Sequence, residues 1–375
     1  MKYTFTLFYL LMATIACAQF QVGHLPSIFT DPSRNNRAIT CEIYYPATTE
    51  GDFAPLAGGQ FPFIVFGHGF VMNYTAYANI TEALVSQGYI LIYVETEGGI
   101  APVHSDFGLD LAFLADHFYD ESANAASLFY GSMLDRCAIM GHSMGGGATW
   151  LAASTSASVD CIAGLAPAET NPSAIAAASN VNVPAMVFSG SSDAVTAPAT
   201  NHVPIFEGTA SACKYFVNII EGSHCGYADS GSLCDFGELG FSGLSREEQQ
   251  AITHELLLAY FDFYLKDLPA GNAVLQSYDS TQSNVEMLIE CLSSVAQSNS
   301  QGMLVFPNPC MESLFLESDA NGIKTYSVMD LTGRAVVSGV LMFSGGRAEI
   351  STVQLPAGVY TMRVDDRVGV RFLKR

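Results

Sequence analysis

Ser143, Asp193 and His224 stand far apart in the chain, yet each lies in a stretch suited to nucleophilic chemistry. Ser143 sits in GHSMGG, behind the apolar run DRCAIM and ahead of the helix-like GATWLAAST. A serine hydroxyl is a weak nucleophile until a base takes its proton, and a tight strand-to-helix turn is the setting that presents it. Gly141 and Gly145 leave such a turn the space it needs. A helix opening at Met144 points its positive end at the serine, so the Met144 N–H is expected to donate to an oxyanion. A phosphate loop would need Lys and then Ser or Thr after the glycines, and neither follows.

A second oxyanion donor belongs near that turn. FIVFGHGF ends an apolar run with His68-Gly69-Phe70, and the Phe70 N–H is the candidate. The acid is expected just past a later strand. VPAMVFSGSSDAVTAP delivers Asp193 there, whereas Asp160 precedes its strand and Asp229 and Asp235 follow the best histidine. Eight histidines compete for the base. His68 and His142 belong to the two turns, while His24, His104 and His117 lie before the serine or near the start. His202 follows Asp193 too closely and His254 lies inside a helix. His224, in EGSHCGY after KYFVNII, completes the chain order Ser…Asp…His. With these roles His224 deprotonates Ser143, Asp193 orients the imidazole, and an ester carbonyl is attacked.

The elements around these residues alternate. From about 40 to 265, strands CEIYYPA, FPFIVFGH, YILIYVE, DRCAIMGH, CIAGLAPA, VPAMVFSG and KYFVNII are separated by helical stretches such as YTAYANITEALVSQG and DFGLDLAFLADHFY. Continuous apolar strands between helices imply a mostly parallel sheet covered on both faces, an α/β class. Ser245 with Glu248 predicts a capping box for the last helix, and Gly271 is expected to follow its end. Only the stretch 167–182 separates CIAGLA from VPAMVF, too little for a large lid, so the site is expected to be open. Phe70, Tyr74 and Met144 are expected on its walls. Glu95, Glu97 and Asp106, in loops after a strand, read as solvated carboxylates, with cation binding the rival reading.

Composition narrows the partners. The chain has 375 residues, 14% of them charged, and a net charge of −21. That balance repels nucleic acid and anionic membranes, so neither is expected as a partner, and no later stretch could insert stably in a bilayer. MKYTFTLFYLLMATIACAQF carries a lysine, a short apolar run and Ala16-Cys17-Ala18, the pattern of a signal peptide spanning 1–18. Of nine cysteines, Cys17 falls in that leader. An even remainder in an exported chain favours disulfides, and Cys225 with Cys234, bracketing a short polar loop, is the expected pair. Cys137, in an apolar strand, suits a buried thiol. No cysteine or histidine cluster has zinc spacing, so no metal and no cofactor are expected.

After a polar linker at 294–302 the chain changes to short strands: SLFLES, KTYSVMD, RAVVSG, GVYTMRV and GVRFLK. This module, 303–375, holds no convergent Ser/His/Asp set. Its FPNP entry, MDLTGR turn, LPAGVY strand start and basic FLKR end resemble the C-terminal sorting domain of type IX secretion, which implies passage to the cell surface or beyond through that machinery. Residues 19–293 resemble α/β-hydrolases of the dienelactone hydrolase, chlorophyllase and cutinase-like polyesterase group, through FGHGF, GHSMGGG, GSSDAVTAP and EGSHCGY. The resemblance implies a serine ester hydrolase with Ser143, Asp193 and His224 as triad and Phe70 and Met144 at the oxyanion positions. Where polyesterases carry an aromatic clamp, this chain has Ala168. A monomer acting on short or polymeric esters is expected. A secreted peptidase or amidase, or a binding protein on the same scaffold, are the alternatives.

Overall fold

The computed structural model describes residues 19–291 apart from 232, 239 and 279–281, and then 304–306, 310–317, 322–329, 334–356, 358–365 and 370–374. The expected leader and linker lie outside these residues. The chain divides into two compact units between Ile289 and Glu290.

The first unit is built on β1 (Gln21–Asp31), β2 (Arg37–Ala47), β3 (Gly51–Asp52), β4 (Phe61–Gly67), α1 (Ala78–Val85), β5 (Ile90–Val94) and α2 (His104–His117). It continues through β6 (Met133–His142), α3 (Met144–Ala153), β7 (Cys161–Leu165), α4 (Ala174–Ala178), β8 (Ala185–Gly190) and α5 (His202–Gly208). β9 (Cys213–Ile219), α6 (Arg246–Leu265), α7 (Pro269–Ser277) and β10 (Val285–Cys291), a strand that crosses the boundary at Ile289, follow. The sheet has ten strands in the order β10-β9-β8-β7-β6-β4-β5-β2-β1-β3. From β5 to β9 the pairs are parallel, and β2 joins β5 antiparallel.

Every residue of β4, β5 and β8 is buried, because helices cover both faces. Period-two alternation divides each strand between two cores. Phe63, Val65, Ile90 and Ile92 meet Leu111 of α2 and Trp150 of α3 on one face. Ile64, Phe66, Leu91 and Tyr93 meet Ile80 and Leu84 of α1 and Leu256 and Tyr260 of α6 on the other. Between β7 and β8 there is only α4, five residues long, and no lid.

β1 has no counterpart in the sequence reading. Its QVGHLPSIFTD is half-exposed and interrupted by Pro26, so it lacks the apolar run that marks the inner strands. α6 opens with the expected Ser245–Glu248 capping box. Gly271 follows its last residue, Leu265, as expected, but not as a cap. It lies within α7, where any Cβ would strike the Ala259 carbonyl of α6, so the bare Cα permits the two helices to touch.

The second unit comprises β11 (Leu304–Phe306), β12 (Ser313–Glu317), β13 (Gly322–Met329), β14 (Ala335–Phe343), β15 (Arg347–Ser351), β16 (Gly358–Val364) and β17 (Val370–Lys374). They form two antiparallel sheets, β11-β12-β15 and β14-β13-β16-β17. Leu314, Leu316, Val328, Phe343, Met362 and Phe372 share one small core.

Candidate active site

The parallel strands end on the same edge of the sheet, and the three residues singled out in the sequence meet there. Ser143 joins β6 directly to α3 with φ 54° and ψ −117°, a conformation a non-glycine residue adopts only under strain. The turn is held by the Ser143 N–H donating to the Leu165 carbonyl at 2.9 Å and the Gly145 N–H donating to the His68 carbonyl at 3.0 Å. A Cβ at Gly145 would collide with the Gly67 and His68 carbonyls, and one at Gly141 with Gly145 itself. Glycine is therefore required at both places.

His224 Nε2 lies 2.9 Å from Ser143 Oγ, and His224 Nδ1 lies 2.8 Å from Asp193 Oδ2. All three side chains are buried or nearly so, with Ser143 at 9% exposure and His224 at 2%. Burial by itself would push the Asp193 carboxyl up. The hydrogen bond and charge of His224, the charge of His202 and the Thr196 N–H outweigh it and hold the carboxyl at about 2. Asp193 is thus ionised, able to accept the His224 Nδ1–H and leave Nε2 free to take a proton.

Several partners have no signal in the sequence. Thr196 Oγ1 stands 2.9 Å from both Asp193 Oδ2 and His224 Nδ1, and 3.0 Å from His202 Nε2. His202, discarded as the base because it follows Asp193 so closely, packs behind the acid at 3.6 Å and bonds Ser189 Oγ through Nδ1 at 2.9 Å. Burial pushes its imidazole down to about 4, so it is neutral. Burial and the His224 charge likewise push His142 down to about 3. His142 Nε2 donates to the His224 carbonyl at 3.0 Å, and its Nδ1 faces the Tyr77 hydroxyl at 3.0 Å. Tyr77 in turn accepts the Gly69 N–H at 2.9 Å. One hydrogen-bond chain therefore links the turn after β4 to the backbone of His224.

The N–H groups of Phe70 and Met144 have no protein acceptor among the described residues. Met144 is the first residue of α3, where the N–H is left unpaired by helix geometry. Its side chain, expected on the site wall, is 4% exposed and packs against the core beneath the turn. Tyr74 opens a 3-10 turn, Tyr74–Tyr77, and its ring stacks with His24 of β1 at 6.3 Å and packs near Tyr44 of β2 at 6.2 Å. Phe70 is 49% exposed. Ala168 is half-exposed and its N–H donates to the Ser143 carbonyl at 2.9 Å.

The three carboxylates expected in loops are not simply solvated, and Asp106 lies in the first turn of α2. Glu97 accepts from Arg37 at 2.7 Å and from the Val103 N–H at 2.6 Å, and Asp106 lies 3.9 Å from Arg37. Glu95 accepts the Tyr74 N–H at 2.9 Å; its burial, partly countered by that bond and reinforced by Glu42, pushes it up to about 7.

Cys225, next to His224, is disulfide-bonded to Cys234 across a Cα–Cα distance of 5.6 Å. Cys213 and Cys291, at the outer ends of β9 and β10, are disulfide-bonded as well. Only half of the eight pair, because Cys41, Cys137, Cys161 and Cys310 are buried thiols in cores.

A parallel sheet with a strained serine between strand and helix, and an acid and a histidine after later strands, defines an α/β-hydrolase. Residues 30–246 match the PET hydrolase-like family, and the chain belongs to that family. Residues 304–374 match the secretion system C-terminal sorting domain, so the chain carries the type IX signal for the cell surface or extracellular space. Among curated proteins it is similar to the bis(hydroxyethyl) terephthalate hydrolase of Streptomyces coelicolor, 27% identical over 191 residues. That match covers 50% of this chain and 56% of the relative, so the chain spans little more than half the length of that protein.

Proposed function

We propose that the protein is an exported serine hydrolase that cleaves carboxylic esters through an acyl-enzyme on Ser143. The observation that carries this reading is the continuous hydrogen-bond relay Ser143–His224–Asp193 at the end of the parallel sheet. His224 Nε2 takes the Ser143 proton as Oγ bonds to the ester carbonyl carbon. The carbonyl oxygen becomes an oxyanion between the Phe70 and Met144 N–H groups. His224 then gives its proton to the departing alkoxide, and the alcohol leaves. Water, deprotonated by the same histidine, attacks the acyl-enzyme, and Oγ recovers the proton as the acid is released.

The absence of a lid between β7 and β8 supports small or polymeric esters as substrates. The name of the Streptomyces coelicolor relative supports terephthalate esters among them. Phe70 offers an exposed ring for an aromatic acyl group, and Ala168 offers no second ring, so such a group is gripped from one side. In the same reading 1–18 is a cleaved leader, 19–293 the catalytic domain, and 303–375 the sorting domain. The enzyme acts as a monomer without a cofactor.

A panel of p-nitrophenyl acetate and butyrate, bis(hydroxyethyl) terephthalate and peptide amides tests the bond type. Ester turnover is expected to exceed amide turnover by orders of magnitude. Amide turnover above ester turnover contradicts the proposal, and no turnover of any member favours a binding protein.

A further inference from the structure

The loop that carries His224 is not part of a helix or strand, yet its backbone polar groups are engaged by side chains from elsewhere. Gln249 of α6 accepts the Ser223 N–H at 2.8 Å and donates to the Ser223 carbonyl at 2.9 Å. His142 holds the His224 carbonyl, and Arg246 donates to the Cys225 carbonyl at 2.6 Å. The remaining two donors, the N–H groups of His224 and Cys225, both go to one carboxylate: Glu238 Oε1 at 2.6 Å and Oε2 at 2.9 Å.

We propose that Glu238 is a positioning residue for the catalytic base, fixing His224 through two backbone hydrogen bonds from a strap that lies outside the stretches holding Ser143, Asp193 and His224. The proposal rests on the reading of Ser143 and His224 as nucleophile and base. Glu238 closes a 3-10 turn, Leu233–Glu238, whose other ties converge on the same place. Cys234 binds Cys225 covalently, and Asp235 accepts from Arg246 at 2.7 Å. A carboxylate accepting two N–H groups at the start of the Cys225–Tyr227 turn caps it as an acidic residue caps a helix N-terminus. Replacing it orphans both donors and frees the His224 Cα to drift. A shift of about 1 Å in a reacting group costs on the order of a hundredfold in rate.

The test compares Glu238→Ala and Glu238→Gln with the wild type in the full chain, using p-nitrophenyl butyrate. Glu238→Ala is expected to lower kcat by roughly ten- to a hundredfold with KM within about twofold. Glu238→Gln keeps one carbonyl acceptor but turns its NH2 against the other N–H, so it should recover only part of the loss. The downfield proton resonance of His224 Nδ1–H against Asp193 should broaden or vanish in Glu238→Ala and return in part in Glu238→Gln. Rates are expressed per folded molecule, counted by thermal unfolding, so misfolding is separated from misplacement. A kcat within twofold of wild type, or an unchanged downfield resonance, overturns the proposal. Ser143→Ala serves as the control: turnover surviving there sinks the site reading itself, whereas its loss beside a normal Glu238→Ala sinks only this inference.

Discussion

Ser143 is the residue in which geometry and chemistry coincide. Its φ of 54° is tolerated because Gly141 and Gly145 carry no side chains and the turn is bonded to β7 and to the turn after β4. Replacing Ser143 by Ala is expected to cut kcat by roughly 10⁴-fold or more, leaving the unfolding midpoint in denaturant close to wild type. Gly145→Ala should behave oppositely. The added Cβ meets two carbonyls that cannot move without breaking the turn, so a loss of about 1–3 kcal/mol is expected from the same denaturant curves. The meeting of Ser143, Asp193 and His224 was legible because each follows an apolar strand in the order that places all three on one sheet edge. Thr196, His202 and Glu238 were not legible, since each earns its place by tertiary approach rather than by any pattern.

At the scale of elements, the inner strands were readable and the outer ones were not. Strands buried on both faces leave continuous apolar runs, whereas β1, exposed along one side, leaves a mixed one. In the segment between His224 and α6 the Cys225–Cys234 closure was legible, but the ties from side chains of α6 were not, because they arise only by tertiary approach. Cys225→Ser with Cys234→Ser removes a closure spanning 9 residues, which loop entropy values at about 2–3 kcal/mol. The double variant is expected to unfold at lower temperature and to hydrolyse p-nitrophenyl butyrate more slowly than wild type. An unchanged melting temperature and rate would remove the disulfide from the account of how His224 is held.

For the whole molecule, two carboxylates, buried Asp193 and half-buried Glu95, set opposite limits on stability. Asp193 is held at about 2 against an ordinary 3.8, so the stability it contributes is present above the ordinary value and lost as pH falls toward 2. Glu95 is raised from 4.5 to about 7, so its contribution is full below 4.5 and lost as pH rises through 7. Glu95→Gln keeps an acceptor for the Tyr74 N–H but cannot ionise. Its denaturant midpoint should fall less between pH 5 and pH 8 than that of the wild type. Equal slopes in the two proteins would show that Glu95 is not the group responsible. The second unit answers to a different requirement: its small sheets carry the sorting signal, and the chemistry resides in the first.

The most direct measurement is the covalent labelling of the full chain with a fluorophosphonate, mapped by peptide mass. One equivalent on the peptide containing Ser143, with ester turnover lost in step, is the predicted result. Label on another residue, or turnover that persists in fully labelled protein, would contradict the acyl-enzyme at Ser143.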